Sequence, residues 1–237
     1  MTDTMSAKVH IGISPLVGVK RTASLLARFS AKHPHARLCY HECSLDELHA
    51  EIARGRLDVI IVPNDPQIPV RAEYMRLPLM LDRLLFIPRL SQHDHWRAVE
   101  CVAVRDIADE RFVLLRDTCG LTRATNRLFQ AQGYSVNRHV GEASSYRAIL
   151  EWTEVSLASG ILPNSKILEH RGIVIPILDG GHPVAIEYIV LGKPPKVATK
   201  IFTELWDSLL ESKVALGRDM LAEEMPAQFD RWQLNRA

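Results

Sequence analysis

Apolar positions along this chain switch repeatedly between two periods. Lys8 to Ile13 alternates apolar and polar residues, the mark of a strand with one covered face. Val59 to Val62 is an unbroken β-branched run, as expected of a strand covered on both faces. Between them, after a second strand at Ala36–Glu42, Leu45, Leu48 and Ile52 recur at helical spacing. Ser44 stands just before that stripe and Glu47 three residues on, a capping-box pair. Gly55 sits where the chain must turn left-handed. Tyr40 to Val62 therefore predicts a strand–helix–strand unit with a right-handed crossover. Ser14 and Pro15 predict the start of another helix, running to about Ala31.

After the stiff turn "PNDPQIP", the segment "AEYMRLPLMLDRLLFIPRL" reads as one or two strands interrupted by a turn. "SQHDHWRAVE" is polar and reads as a surface loop. A second strand–helix series follows. It has strands at Phe112–Leu115, Asn137–Val140 and Ser156–Leu162, and helices at Leu121–Gln132 and from Ser144 and Ser145 to about Glu154. "NSKILEHRG" predicts a short helix capped by Asn164 and stopped by Gly172. Two more strands, Val174–Leu178 and Val184–Val190, flank the turn "DGGHP". Val197–Leu216 predicts a long amphipathic helix carrying Ile201, Leu205, Trp206 and Leu209.

This order predicts an α/β protein of two Rossmann-like lobes. Residues 8–64 and 182–216 form lobe I, residues 65–181 form lobe II, and residues 217–237 form a polar tail. A chain that leaves a lobe and returns needs two crossover segments side by side, a geometry that permits hinge closure about a cleft. In such sheets ligands sit beyond the carboxyl ends of the strands. Those ends carry Ser14, Ser44, Thr118 with Thr122, and Ser144 with Ser145. Each offers a hydroxyl beside free N–H groups at a helix start, suited either to capping or to a small anion.

Composition narrows the function. Lys plus Arg is 29 and Asp plus Glu 28 in 237 residues, too even a balance for a dedicated nucleic-acid surface. No apolar run is long enough to span a membrane, and "MTDTMSAKVHIG" has no apolar export core, which predicts a cytoplasmic protein. Cys39, Cys43, Cys101 and Cys119 form no CxxC pair and read as free thiols. HExxH, GxSxG, GxGxxG and GxxxxGK[ST] are all absent. His33 with His35 and His93 with His95 do not match metal-site spacing, so neither metal nor cofactor is expected. Asp46 and Glu47 are adjacent on a helix and point apart, so they make no catalytic pair. Cys119, near a helix start, is either an activated thiol or a packing residue.

The segments "VHIGISPLVG", "LLARFSAKHPHARLCYHE", "LHAEIARGRLDVIIV", "LRDTCGLTRATNRLFQAQGY" and "SLASGILPNSKI" together resemble the effector-binding domain of LysR-type transcriptional regulators, over about Lys8 to Leu216. The resemblance implies a type 2 periplasmic-binding-protein-like fold with a small inducer held between the lobes. It implies inducer contacts at Ser14 and Pro15, at Ser44, near Asn64, and at Thr118, Cys119, Gly120 and Thr122. Ser156 and Ala158 stand where the family commonly has glycine. The resemblance also implies a homodimer or homotetramer, paired through the helix after Pro15 and the helix Leu121–Gln132. DNA would be bound only through an N-terminal winged helix-turn-helix not contained in these residues. Peroxide-sensing members pair a cysteine near the position of Cys119 with another in the following helix, and Leu121–Gln132 contains none. A transporter's solute-binding receptor, which shares the fold, is the alternative; an enzyme comes last, for want of an acid–base pair.

Overall fold

In the computed structural model the described residues are 8–116, 118–167, 170–194 and 200–223, with side chains as far as Ser212. The chain opens with β1 (Lys8–Ile13), α1 (Val19–Leu25), α2 (Ala27–Lys32), β2 (Arg37–Glu42), α3 (Leu45–Ala53) and β3 (Val59–Pro63). β1 lies between β2 and β3, parallel to both. α3 covers one face of this sheet: Leu45, Leu48 and Ile52 bury against Leu57, Ile60 and Val62. The approach is close because residue 12 is glycine; a Cβ there would lie 2.6 Å from Leu48 and 2.7 Å from Leu57. The capping box forms as expected, with Glu47 N–H donating to the Ser44 hydroxyl at 3.3 Å and Ser44 N–H to the Glu47 carboxylate at 3.0 Å. Gly55 takes the left-handed conformation, φ 73°.

The first helix departs from expectation. Pro15 to Val17 form a turn, the helix begins only after Gly18, and it breaks at Leu26 into α1 and α2. The turn is held by Val17 and Gly18 N–H groups, both donating to the Ser14 carbonyl.

Next come β4 (Met75–Ile87), a 3-10 turn (Leu90–Gln92), α4 (His93–Trp96), β5 (Val102–Ala103), α5 (Val104–Ile107), β6 (Phe112–Leu115), α6 (Leu121–Ala131), β7 (Arg138–Ala143) and α7 (Tyr146–Glu154). The chain then forms β8 (Gly160–Pro163), a 3-10 turn (Asn164–Lys166), β9 (Ile175–Asp179), β10 (His182–Pro183), β11 (Ala185–Gly192) and α8 (Lys200–Glu223). β4 is one continuous strand of 13 residues rather than two. Its first part pairs antiparallel with β11, which also pairs with β3; its last part pairs with β8 and β9. β4 and β11 are thus the two adjacent crossovers between the lobes. Pro78 is accommodated within β4 opposite Ile189, where the β11 register shifts.

Lobe II is built on an edge-to-face aromatic series. Phe86 meets Trp96 at 5.0 Å and Phe112 at 6.1 Å, and Phe112 meets Phe129 at 5.5 Å. The buried Trp96 explains why "SQHDHWRAVE" is not a loop: its indole anchors α4 to the core. Ser156 to Ala158 are not strand either, and Ser159 makes only an isolated parallel bridge to Phe112. Ser156 has φ 61°, and its hydroxyl accepts from Ser91 N–H at 2.9 Å. That left-handed backbone explains why glycine suits this position. The stretch expected as a helix from Asn164 is a single 3-10 turn; its continuation at Leu168 and Glu169 lies outside the described residues. α8 packs back on lobe I through Leu205, Trp206 and Leu209, runs past Gly217 to Glu223, and is tied by the Ser212 hydroxyl to the Leu25 carbonyl at 2.9 Å. Residues 197–199, assigned to that helix in sequence, lie outside the described residues. No described helix is long and apolar enough to cross a membrane.

Candidate functional site

A cavity of about 880 Å³ opens where the strand ends of lobe II face the β1–α1 turn. One wall is β6 and its continuation, Leu114 to Arg116 with Thr118 and Cys119; another is Arg138 to Tyr146, along β7 into the start of α7; Pro15 closes it from lobe I. Of the residues expected to meet a ligand, Pro15, Thr118 and Cys119 line this cavity. Ser144 and Ser145, singled out as a strand-end pair, line it as well.

The other expected residues lie nearby with their polar groups engaged by the protein. Ser14 is fully buried; its hydroxyl accepts from Leu16 N–H at 3.3 Å and donates to the Cys119 carbonyl at 3.5 Å. The Ser44 hydroxyl donates to the Glu47 carboxylate at 2.7 Å while accepting its N–H. Asn64 donates its side-chain amide to Glu187 at 2.6 Å. Thr122, buried, donates to the Leu115 carbonyl at 2.8 Å. Gly120 precedes α6 with φ 86°, and a Cβ there would come within 3.1 Å of both Leu45 and Pro63. It is the point where lobe II closes on lobe I.

That closure is extensive. Leu45 N–H, at the start of α3, donates to the Thr118 carbonyl at 2.8 Å. The helix end expected to hold a ligand therefore already holds a carbonyl of the opposite lobe. Beside it, Arg123 holds Asp46, and Arg127 reaches Asp65 at 2.6 Å. The hydrogen bond from Arg123 holds the Asp46 carboxyl below its usual range.

The hinge end carries a second polar cluster that sequence reasoning missed. Asp82, in the middle of β4 and buried, accepts from Arg21 at 3.1 Å, from Tyr188 at 3.3 Å and from Ser165 N–H at 3.1 Å. Burial pushes the Tyr188 hydroxyl up, with the Asp82 charge adding to it. Lys166 lies beside this cluster, donating to the Pro15 carbonyl at 3.0 Å, with its ammonium 4.7 Å over the Tyr146 ring. Burial pushes the Lys166 ammonium down. Tyr146 lines the cavity; its hydroxyl is buried, has no hydrogen-bond partner of normal geometry, and is pushed up by burial and the neighbouring Cys119. A charged residue inside β4, "MLDRLL", was the available signal for Asp82; no local pattern marks Lys166.

Among the described residues no three His, Cys, Asp or Glu side chains are placed to hold a metal ion. All four cysteines are free thiols, Cys119 among them and buried.

Two α/β lobes joined by two adjacent crossover strands define a type 2 periplasmic-binding-protein-like fold. The LysR substrate binding domain family matches residues 2–213, and the chain belongs to that family, one of transcriptional regulators rather than enzymes. The DNA-binding transcriptional dual regulator OxyR of Escherichia coli K12 is 27% identical over 160 residues, 67% of this chain and 48% of that protein. The chain thus spans about half the length of the curated relatives it matches. The crystal structure of the reduced form of OxyR superposes with a TM-score of 0.71 at 18% identity, covering 90% of this chain and 98% of that one. The Synechocystis PCC6803 CcmR regulatory domain, solved in complex with 2-PG, gives a TM-score of 0.71 at 16% identity, covering 93% and 100%.

Proposed function

We propose that the chain senses a small organic acid in the interlobe cavity and passes the signal to DNA through another part of a longer, cytoplasmic regulator. The observation that carries this reading is the cavity itself. It is large enough for a small effector, lies at the strand ends of lobe II, and is closed by Pro15 of lobe I, and the relative position of the lobes depends on the paired crossovers β4 and β11. Hydroxyls along the wall at Thr118 and Ser144, beside the start of α7 where the Ser145 hydroxyl caps Ala148 N–H at 3.1 Å, favour a carboxylate or aromatic acid. The family assignment and the 2-PG held by CcmR support a small-molecule effector.

The regulator acts as a homodimer or homotetramer, pairing α1 of one copy against α6 of the next. Leu16 is fully buried and contributes nothing to that surface, whereas Val19 is 44% exposed and Lys20 is exposed. A thermal-shift screen of small organic acids, with calorimetry on the hits, tests the sensing role. Stabilisation by a compound whose affinity is lost when the cavity wall is filled, as in Ser144→Trp, is the expected result. A protein that no organic acid stabilises contradicts it.

A further inference from the structure

Lys166 is half-buried at a meeting point of three parts of the fold. It stands on the 3-10 turn after β8, its ammonium donates to Pro15 of lobe I, and it lies over Tyr146 of lobe II. Pro15 and Tyr146 both line the cavity. Among the described residues no carboxylate is within salt-bridge reach of it. Asp82 is the acid whose charge favours it most, but that carboxylate is already held by Arg21, Tyr188 and Ser165. Arg21 adds a second positive charge nearby. A half-buried cation whose described partners are one neutral acceptor and an aromatic face, beside a cationic neighbour, is costly to keep. A clasp to the Pro15 carbonyl needs a donor, not a charge.

We infer that Lys166 is the residue that selects an anionic effector, a carboxylate or a phosphate, by supplying the counter-charge from behind Pro15 and Tyr146, the two lining residues it touches. The inference rests on the sensing role proposed above and deepens it. Tyr146 lines the same wall, with its hydroxyl buried beside Cys119. An anion drawing the ammonium from Pro15 changes a contact between the hinge turn and lobe I, so charge recognition and lobe position share one side chain.

The test compares the wild type with Lys166→Met and Lys166→Arg by thermal shift, at constant ionic strength set with chloride. The probes are sulfate, benzoate and the neutral benzamide. Sulfate and benzoate should raise the Tm of the wild type, and benzamide should do so far less. Lys166→Met should need at least tenfold more of either anion for the same rise, while Lys166→Arg keeps most of the response. Without any probe, Lys166→Met should melt at or above the wild type, because a half-buried charge with no salt-bridge partner among the described residues has gone. The inference is overturned by a wild type that neither anion stabilises, by a Met variant that responds as the wild type does, or by a Met variant that melts far lower with its anion response intact. If a neutral compound from the organic screen binds wild type and Met variant alike, the lysine assignment falls and the sensing role stands. If nothing in either set binds the wild type, both fall.

Discussion

The guanidinium of Arg123, on α6, holds both carboxylate oxygens of Asp46, on α3, at 3.1 and 2.8 Å. These helices belong to opposite lobes, so the pair bridges the cleft. It is geometrically specific but energetically modest, because Asp46 is 70% exposed and solvent screens it. Its pH dependence has a definite sign. The Asp46 carboxyl is depressed by its hydrogen bond to Arg123, so the pair favours the closed form fully above the ordinary Asp value of about 4. That contribution is lost as pH falls through the depressed value. Small-angle scattering should show the radius of gyration rising at low pH in the wild type, with Asp46→Ala already partly opened at neutral pH. Identical profiles for the two proteins count against a bridging role.

Asp65 is the buried anchor of the same seam. It accepts from Arg127 at 2.6 Å and from Gln67 N–H at 3.0 Å, with Arg123 a further 3.8 Å contact. Breaking a buried ion pair from one side costs about 3–5 kcal/mol, and the partial exposure of Arg127 places this case near 3 kcal/mol. Denaturant unfolding of Asp65→Ala should show that loss; a change under about 1 kcal/mol would mean that water already serves Arg127 well.

Ser44→Ala should act through stability. Both hydrogen-bonding roles of the hydroxyl are taken by Glu47, so the loss is that of an N-cap, about 1 kcal/mol, or roughly 2–4 °C in Tm. Calorimetry with a confirmed ligand separates the roles: affinity falling more than tenfold with an unchanged Tm would place Ser44 on the ligand instead.

Cys119 is buried, and α6, which follows it, contains no cysteine. Cys119→Ser should keep the effector response, and mild peroxide should leave the wild type without a specific disulfide by mass spectrometry. A stoichiometric Cys119 disulfide coupled to a changed oligomer would show that the chain shares a thiol switch.

Light scattering should find a homodimer, and Val19→Glu, on the exposed face of α1, should shift it toward monomer. A low-salt gel shift should detect no DNA binding by these 237 residues, whose charges nearly cancel.

Much of the architecture follows from local chemistry and was legible in the sequence. The Ser44–Glu47 capping box, the left-handed Gly55, the apolar stripe of α3 and the doubly covered β3 depend on neighbours in the chain. Periods of 2 and 3.6 record which faces are buried without saying against what. Where a local feature was decided at a distance, the sequence misled. Trp96 made a helix of a polar stretch because lobe II offered it Phe86, and Pro78 stayed in a strand because β11 shifts register opposite it. The candidate site divides in the same way. Strand-end hydroxyls identify the junctions, but a hydroxyl looks the same in sequence whether it faces a ligand or a backbone carbonyl. Only tertiary structure spent Ser14, Ser44 and Thr122 on the protein's own groups and closed Thr118 onto α3. It alone set Lys166 over Tyr146, 20 residues away in sequence, with Asp82 already committed elsewhere. Electrostatic partnership depends on distance and burial in space, and those are properties of the packed lobes rather than of the order of residues.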